Sequence, residues 1–141
     1  MPTSFTIHHP SEMLSVAQAI LEAFPKHRVF ALSGDLGAGK TTFTKAFASV
    51  LGINEAVSSP TFSIVHEYGN EANKLFHFDL YRVKDEAELY GIGFEEYLEQ
   101  RAYVLIEWPE MAKNFLPTSY VSVVLEAEDE NTRQIICRIV D

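Results

Sequence analysis

Two spacings of apolar residues alternate along this chain, one helical and one strand-like. Met13/Leu14, Ala17, Ile20/Leu21 and Phe24 recur at helical spacing, so a helix is expected from Ser11 to about Phe24. Ser11, followed by Glu12, is the expected cap, and Pro25 closes the segment. Val29-Phe30-Ala31-Leu32 is apolar at every position, the pattern of a strand buried on both faces. Beyond a glycine-rich stretch, Thr41 to Leu51 returns to helical spacing. Phe43, Ala46/Phe47 and Val50/Leu51 turn inward, and Gly52 stops the helix.

The second half reads in shorter units. Ser58-Ser59-Pro60-Thr61 is a loop by composition and leads into a strand from Phe62 to Tyr68, which ends at Gly69-Asn70. Leu75 to Tyr81 alternates: Phe76, Phe78 and Leu80 face one way, His77, Asp79 and Tyr81 the other. Helical segments follow at Asp85–Tyr90 and Phe94–Gln100, separated by Gly91-Ile92-Gly93. Those glycines make either a plain helix–helix turn or a movable docking surface. Tyr103-Val104-Leu105-Ile106 is a second wholly apolar strand, ending at Glu107-Trp108-Pro109. Tyr120–Ala127 and Gln134–Val140 form a terminal β-hairpin across Glu128-Asp129-Glu130-Asn131. With no internal repeat or linker, residues 1–141 read as a single α/β domain.

Composition narrows the function classes. Eleven basic against twenty acidic side chains leave a net charge of -9 and no Lys/Arg run. Such a surface repels nucleic-acid phosphates, so proteins or small ligands are the expected partners and nucleic acid is reached indirectly. Cys137 is the only cysteine and sits in an apolar run, which reads as a packed thiol. No secretory signal or membrane-length apolar stretch is visible, and the expectation is a soluble, cytoplasmic protein.

The glycine-rich stretch carries the chemistry. Gly34-Asp35-Leu36-Gly37-Ala38-Gly39-Lys40-Thr41 matches G-x-x-x-x-G-K-[ST] in full, a pattern that arises by chance in roughly one chain of this length in a few hundred. A buried strand precedes it and an amphipathic helix follows, the context in which it works. Its glycines let backbone N–H groups from Asp35 through Thr42 encircle phosphate oxygens, helped by the helix dipole. Lys40 reaches the β- and γ-phosphates, and the Thr41 hydroxyl is placed for Mg²⁺. The fold expected is therefore P-loop NTPase-like: three layers around a central mixed, largely parallel sheet, with a C-terminal β-hairpin.

A nucleotide site needs a carboxylate on its metal side. Glu107 ends the most apolar strand, the usual place for such an acid; Asp79, on the polar face of its strand, is the other candidate. Thr61 is either a hydroxyl that senses the γ-phosphate or a brace for its own loop. Asn73-Lys74-Leu75-Phe76 fails the guanine motif Asn-Lys-x-Asp, and Asp79-Leu80-Tyr81-Arg82 fails Asp-x-x-Gly, so ATP is expected rather than GTP. A small-molecule kinase is a rival reading, weakened by the missing acceptor region and Arg-rich lid. A nucleotide-gated binding module without hydrolysis of its own is another.

Gly34 to Phe43, Ser59-Pro60-Thr61-Phe62, His77-Phe78-Asp79-Leu80-Tyr81-Arg82 and Ile106-Glu107-Trp108, in this order, closely resemble the bacterial TsaE (formerly YjeE) family. The resemblance spans nearly the whole chain, and it is the combination of the four segments that is specific. It implies an ATPase of tRNA threonylcarbamoyladenosine (t6A) biosynthesis, which modifies adenosine 37 of tRNAs reading ANN codons. Such a protein acts with the TsaB–TsaD pair and not as the transferase, touching tRNA only through the complex, away from membranes. Carried over by position, Lys40 binds phosphate of ATP or ADP, Thr41 and Glu107 serve Mg²⁺, and Asp79 is a further active-site acid. Either Asp79 or Glu107 would position the attacking water. Arg133 is a candidate to approach the nucleotide from the hairpin, and Trp108 is either core packing or a partner contact.

Overall fold

The computed structural model describes residues 3–35, 37–58 and 63–141. Its centre is set by the two uninterrupted apolar runs, which become β2 (Val29–Ser33) and β5 (Tyr103–Glu107) and lie side by side in parallel. Strands without a polar face need cover on both sides, and neighbouring elements supply it. Parallel to this pair run β4 (Lys74–Asp79), against β5, and β6 (Tyr120–Ala127), against β2. The margins are antiparallel: β3 (Val65–Gly69) pairs with β4, β7 (Arg133–Val140) with β6, and β1 (Thr3–Ile7) with β7. The sheet order is β1-β7-β6-β2-β5-β4-β3, parallel in the centre, with the expected β6–β7 hairpin on one flank and β1 at that edge.

Helices cover both faces. On one side lie α1 (Met13–Ala23) and α2 (Lys40–Val50), sealed on the sheet by Ile20, Phe43, Phe47, Phe30, Leu105 and Val123. Phe47 meets Phe30 and Tyr103 with ring centroids 5.2 and 5.6 Å apart, edge-on, the favoured aromatic geometry. On the other side, α3 (Glu86–Gly91), α4 (Phe94–Glu99) and a 3₁₀ turn at Pro109–Ala112 pack over Phe76, Phe78, Val104 and Ile106. Asp85 caps α3 by accepting from Glu88 N–H, and Gly93 adopts φ 73° to start α4. No described helix is long and apolar enough to cross a membrane.

One local expectation is corrected. The first helix is not capped by Ser11. His9 Nδ1 accepts from Ser11 N–H, and the Glu12 carboxylate reaches back to the His8 and His9 amides, so a 3₁₀ turn at Pro10–Glu12 precedes α1. His77 lies on the face predicted for it, and its side chain is wholly buried there. The expected loop at Ser59-Pro60-Thr61 and the start of the following strand at Phe62 lie outside the described residues.

Candidate functional site

Strands that run parallel end on one edge of the sheet, and the gap between their carboxyl ends and the following helix is where such folds take ligands. Here β2 runs into the glycine-rich loop, which turns directly into α2. Gly34 is dictated by space: a Cβ there would sit 2.6 Å from the Leu125 carbonyl oxygen of β6. Gly39 holds φ 107° as the residue before α2, a conformation only glycine adopts freely. Asp35 O accepts from Ala38 N–H at 3.0 Å, closing the loop, while Ala38 is buried beneath it.

Lys40 opens α2 and folds back over the loop. Only 8% exposed, it donates from Nζ to Gly34 O at 2.8 Å and lies 4.3 Å from the centre of the Trp108 ring. The indole gets there because Trp108, alone among the described non-glycine residues, has a positive φ, 57°. Strain of that kind costs of order 1–3 kcal/mol and clusters at functional sites. Tyr81, 68% exposed, packs tilted against the same indole with centroids 4.9 Å apart.

The carboxylates arrive by strand parity. Leu75, His77 and Asp79 share one face of β4, as Tyr103, Leu105 and Glu107 share one face of β5, and these are the faces toward α2. Asp79 stands directly beside Glu107 in the register. Burial pushes the Asp79 carboxyl above the usual carboxylate range, with the neighbouring Glu107 charge adding to the rise. The Tyr81 amide, donating to Asp79 Oδ1 at 3.0 Å, opposes it. Glu107 is 4% exposed, and its Oε2 accepts from His77 Nε2–H at 2.5 Å.

Gly37, Gly39, Lys40, Thr41, Thr42, Asp79 and Glu107 thus line one cleft of about 530 Å³, with Tyr81 and Trp108 at its wall. A second cavity of about 190 Å³ adjoins it through Gly37, Gly39 and Thr42 and is walled by His9, Asn131 and Arg133. Arg133 spans from the hairpin to the loop, Nη2 donating to Gly37 O at 3.3 Å and Nη1 to Asp129 O at 2.7 Å. The sequence-predicted residues therefore converge. Asp35 is exposed at the rim, and Leu36 and Thr61 lie outside the described residues. Cys137 stands apart: burial pushes its thiol up to about 12, so it packs as a neutral side chain.

Sequence reasoning gave no role to His77 and left Trp108 between packing and partner contact. A signal for His77 was present, since it sits two residues before Asp79 on a strand otherwise apolar. Its place beside Glu107 required the register of β4 against β5.

Oxygen donors only, a hydroxyl and carboxylates beside the glycine-rich loop, suit a hard divalent cation. Were phosphates to bind the loop, two adjacent carboxylates facing them would repel them without such a cation. Among the described residues no group of three or more His, Cys, Asp or Glu could hold a metal alone, so phosphate and water oxygens would complete its shell.

Comparison with known proteins agrees with this fold. The chain is 41% identical over 128 residues to the tRNA threonylcarbamoyladenosine biosynthesis protein TsaE of Bacillus subtilis, covering 90% of this chain and 79% of that one. To the TsaE protein of Rickettsia conorii it is 36% identical over 136 residues, covering 96% and 76%. The crystal structure of Bacillus subtilis YdiB superposes with a TM-score of 0.81 at 33% identity, covering 100% of this chain and 87% of that one. Residues 7–135 match the family described as threonylcarbamoyl adenosine biosynthesis protein TsaE, and the chain belongs to that family.

Proposed function

We propose that this chain is a P-loop ATPase serving the installation of the threonylcarbamoyl group on adenosine 37 of tRNA. It would act with the TsaB–TsaD pair and reach tRNA only through that complex. The observation that carries the reading is the convergence of Lys40, Thr41, Asp79 and Glu107 on one cleft at the carboxyl ends of parallel strands.

In this reading the triphosphate lies along the loop in the larger cleft, and the base enters the smaller cavity between His9, Asn131 and Arg133, which the loop glycines join to it. Backbone amides of the loop and the Lys40 ammonium hold the phosphates, and Arg133 fixes the loop from the hairpin side. Thr41 and Glu107 would hold Mg²⁺, which when bound neutralises phosphate charge. Asp79 positions the attacking water: its raised proton affinity suits a general base, and Oδ1 is already fixed by the Tyr81 amide. Glu107 is less suited, because one of its oxygens is committed to His77. The net charge of -9 fits a protein that docks on other proteins and leaves tRNA binding to them.

The test is made in cells from which this chain has been deleted. Nucleoside mass spectrometry of total tRNA should show t6A lost, restored by the wild-type chain and not by Lys40→Ala. Full t6A in the deletion strain, or full rescue by the variant, would refute the reading.

A further inference from the structure

Leu75, Phe76, Phe78, Val104, Leu105 and Ile106 fill the apolar core positions of β4 and β5, yet one buried position on β4 carries an imidazole. His77 is fully buried, and its Nδ1 is the one buried side-chain nitrogen or oxygen without a hydrogen-bond partner among the described residues. An apolar residue of similar size would leave no orphaned nitrogen there. What the imidazole does that a phenyl ring could not is donate from Nε2 to Glu107 Oε2.

Among the described residues that bond is the hydrogen bond made to the Glu107 side chain. Glu107 otherwise has Leu32 on one side in the register and the like-charged Asp79 on the other. A glutamate has three side-chain torsions, and neither neighbour fixes them by a donor. With Oε2 pinned, Oε1 is left for a ligand in the cleft that Glu107 lines.

We propose that His77 is a positioning residue, holding Glu107 so that its free carboxylate oxygen is presented to the divalent cation of the bound nucleotide. This rests on the ATPase reading above. Ligating carboxylates are usually fixed by such outer partners, whose loss lowers metal affinity by roughly 10- to 100-fold. His77 need not touch nucleotide, water or cation, and its contribution passes through the aim of one carboxylate.

The experiment compares His77→Gln, which keeps a side-chain N–H donor, with His77→Met, which is of similar length and donates nothing. Binding of a fluorescent ADP analogue is followed by anisotropy, first in EDTA and then against free Mg²⁺, with circular dichroism melts establishing folding. In EDTA both variants should bind within about threefold of wild type, while the Mg²⁺ concentration at half-effect rises roughly 10- to 100-fold in Met and much less in Gln. If the Met variant does not fold, His77→Leu takes its place. Gln and Met variants alike in Mg²⁺ dependence, whether both normal or both impaired, overturn the proposal. Glu107→Gln separates the two levels. Mg²⁺ dependence lost there but kept in His77→Met sinks this inference alone, whereas wild-type protein indifferent to Mg²⁺ sinks it together with the metal-site reading.

Discussion

Replacing Lys40 by alanine removes the positive charge nearest the loop, and the structure bounds how much binding should be lost. An ammonium about 4 Å from a phosphate charge at an effective dielectric near 20 gains about 4 kcal/mol. The gain is net of what Lys40 surrenders. Its ammonium has three hydrogens, so the bond to Gly34 O can persist while another reaches phosphate. The Trp108 contact at 4.3 Å is the one given up, at about 1 kcal/mol for a partly shielded cation–π pair. The difference, about 3 kcal/mol, corresponds to a Kd raised by about two orders of magnitude. Isothermal titration of MgADP and MgATP into wild type and Lys40→Ala measures it, with thermal melts showing that the variant is folded. A folded variant binding within about threefold of wild type would refute this placement of the phosphates.

Other consequences are equally direct. Asp79 has its folded pKa raised, so the folded state holds the proton more tightly than the unfolded one, and stability falls as pH rises from the unfolded value through the folded one. Asp79→Asn should remove that fall, melting no lower than wild type at neutral pH while losing ATP turnover; normal turnover would eliminate Asp79 as the water-positioning group. Gly34→Ala should destabilise the fold by more than the ~0.5 kcal/mol within which ordinary surface changes fall, because the new Cβ meets the Leu125 carbonyl at 2.6 Å; an unchanged urea midpoint would contradict the close approach. Trp108 is the only tryptophan, so its emission should change when nucleotide draws Lys40 off the indole, and the change should vanish in Lys40→Ala.

The elements with strong local signals were legible before any coordinates. Val29–Leu32 and Tyr103–Ile106 read as strands buried on both faces, the loop carried a complete P-loop pattern, and Glu107 at the end of an apolar strand was already a metal-side candidate. What was not legible depended on pairing across the chain. β1 is Thr3-Ser4-Phe5-Thr6-Ile7, a weak alternation at an edge, whose partner β7 lies at the opposite terminus. The expected Ser11 cap does not form: α1 has no side-chain cap, and His9 instead caps the 3₁₀ turn before it, its ring nitrogen accepting from the Ser11 amide. Alternation placed His77 on the face of Asp79 and Tyr81 but did not show whether that position is buried. Its burial follows from α2 and the loop covering that face of β4, and its bond to Glu107 from the β4–β5 register. The left-handed backbone of Trp108 has no local sequence cue, since nothing but the fold requires a bulky residue to adopt it.

The central claim is that the cleft hydrolyses ATP in concert with partner proteins. Its most direct test is the rate of phosphate release from MgATP by the purified chain, alone and with the TsaB–TsaD pair. The account predicts Mg²⁺-dependent release that rises when the pair is added and is lost in both Lys40→Ala and Glu107→Ala. No release above background under either condition, or equal release from the Lys40 variant, would contradict it.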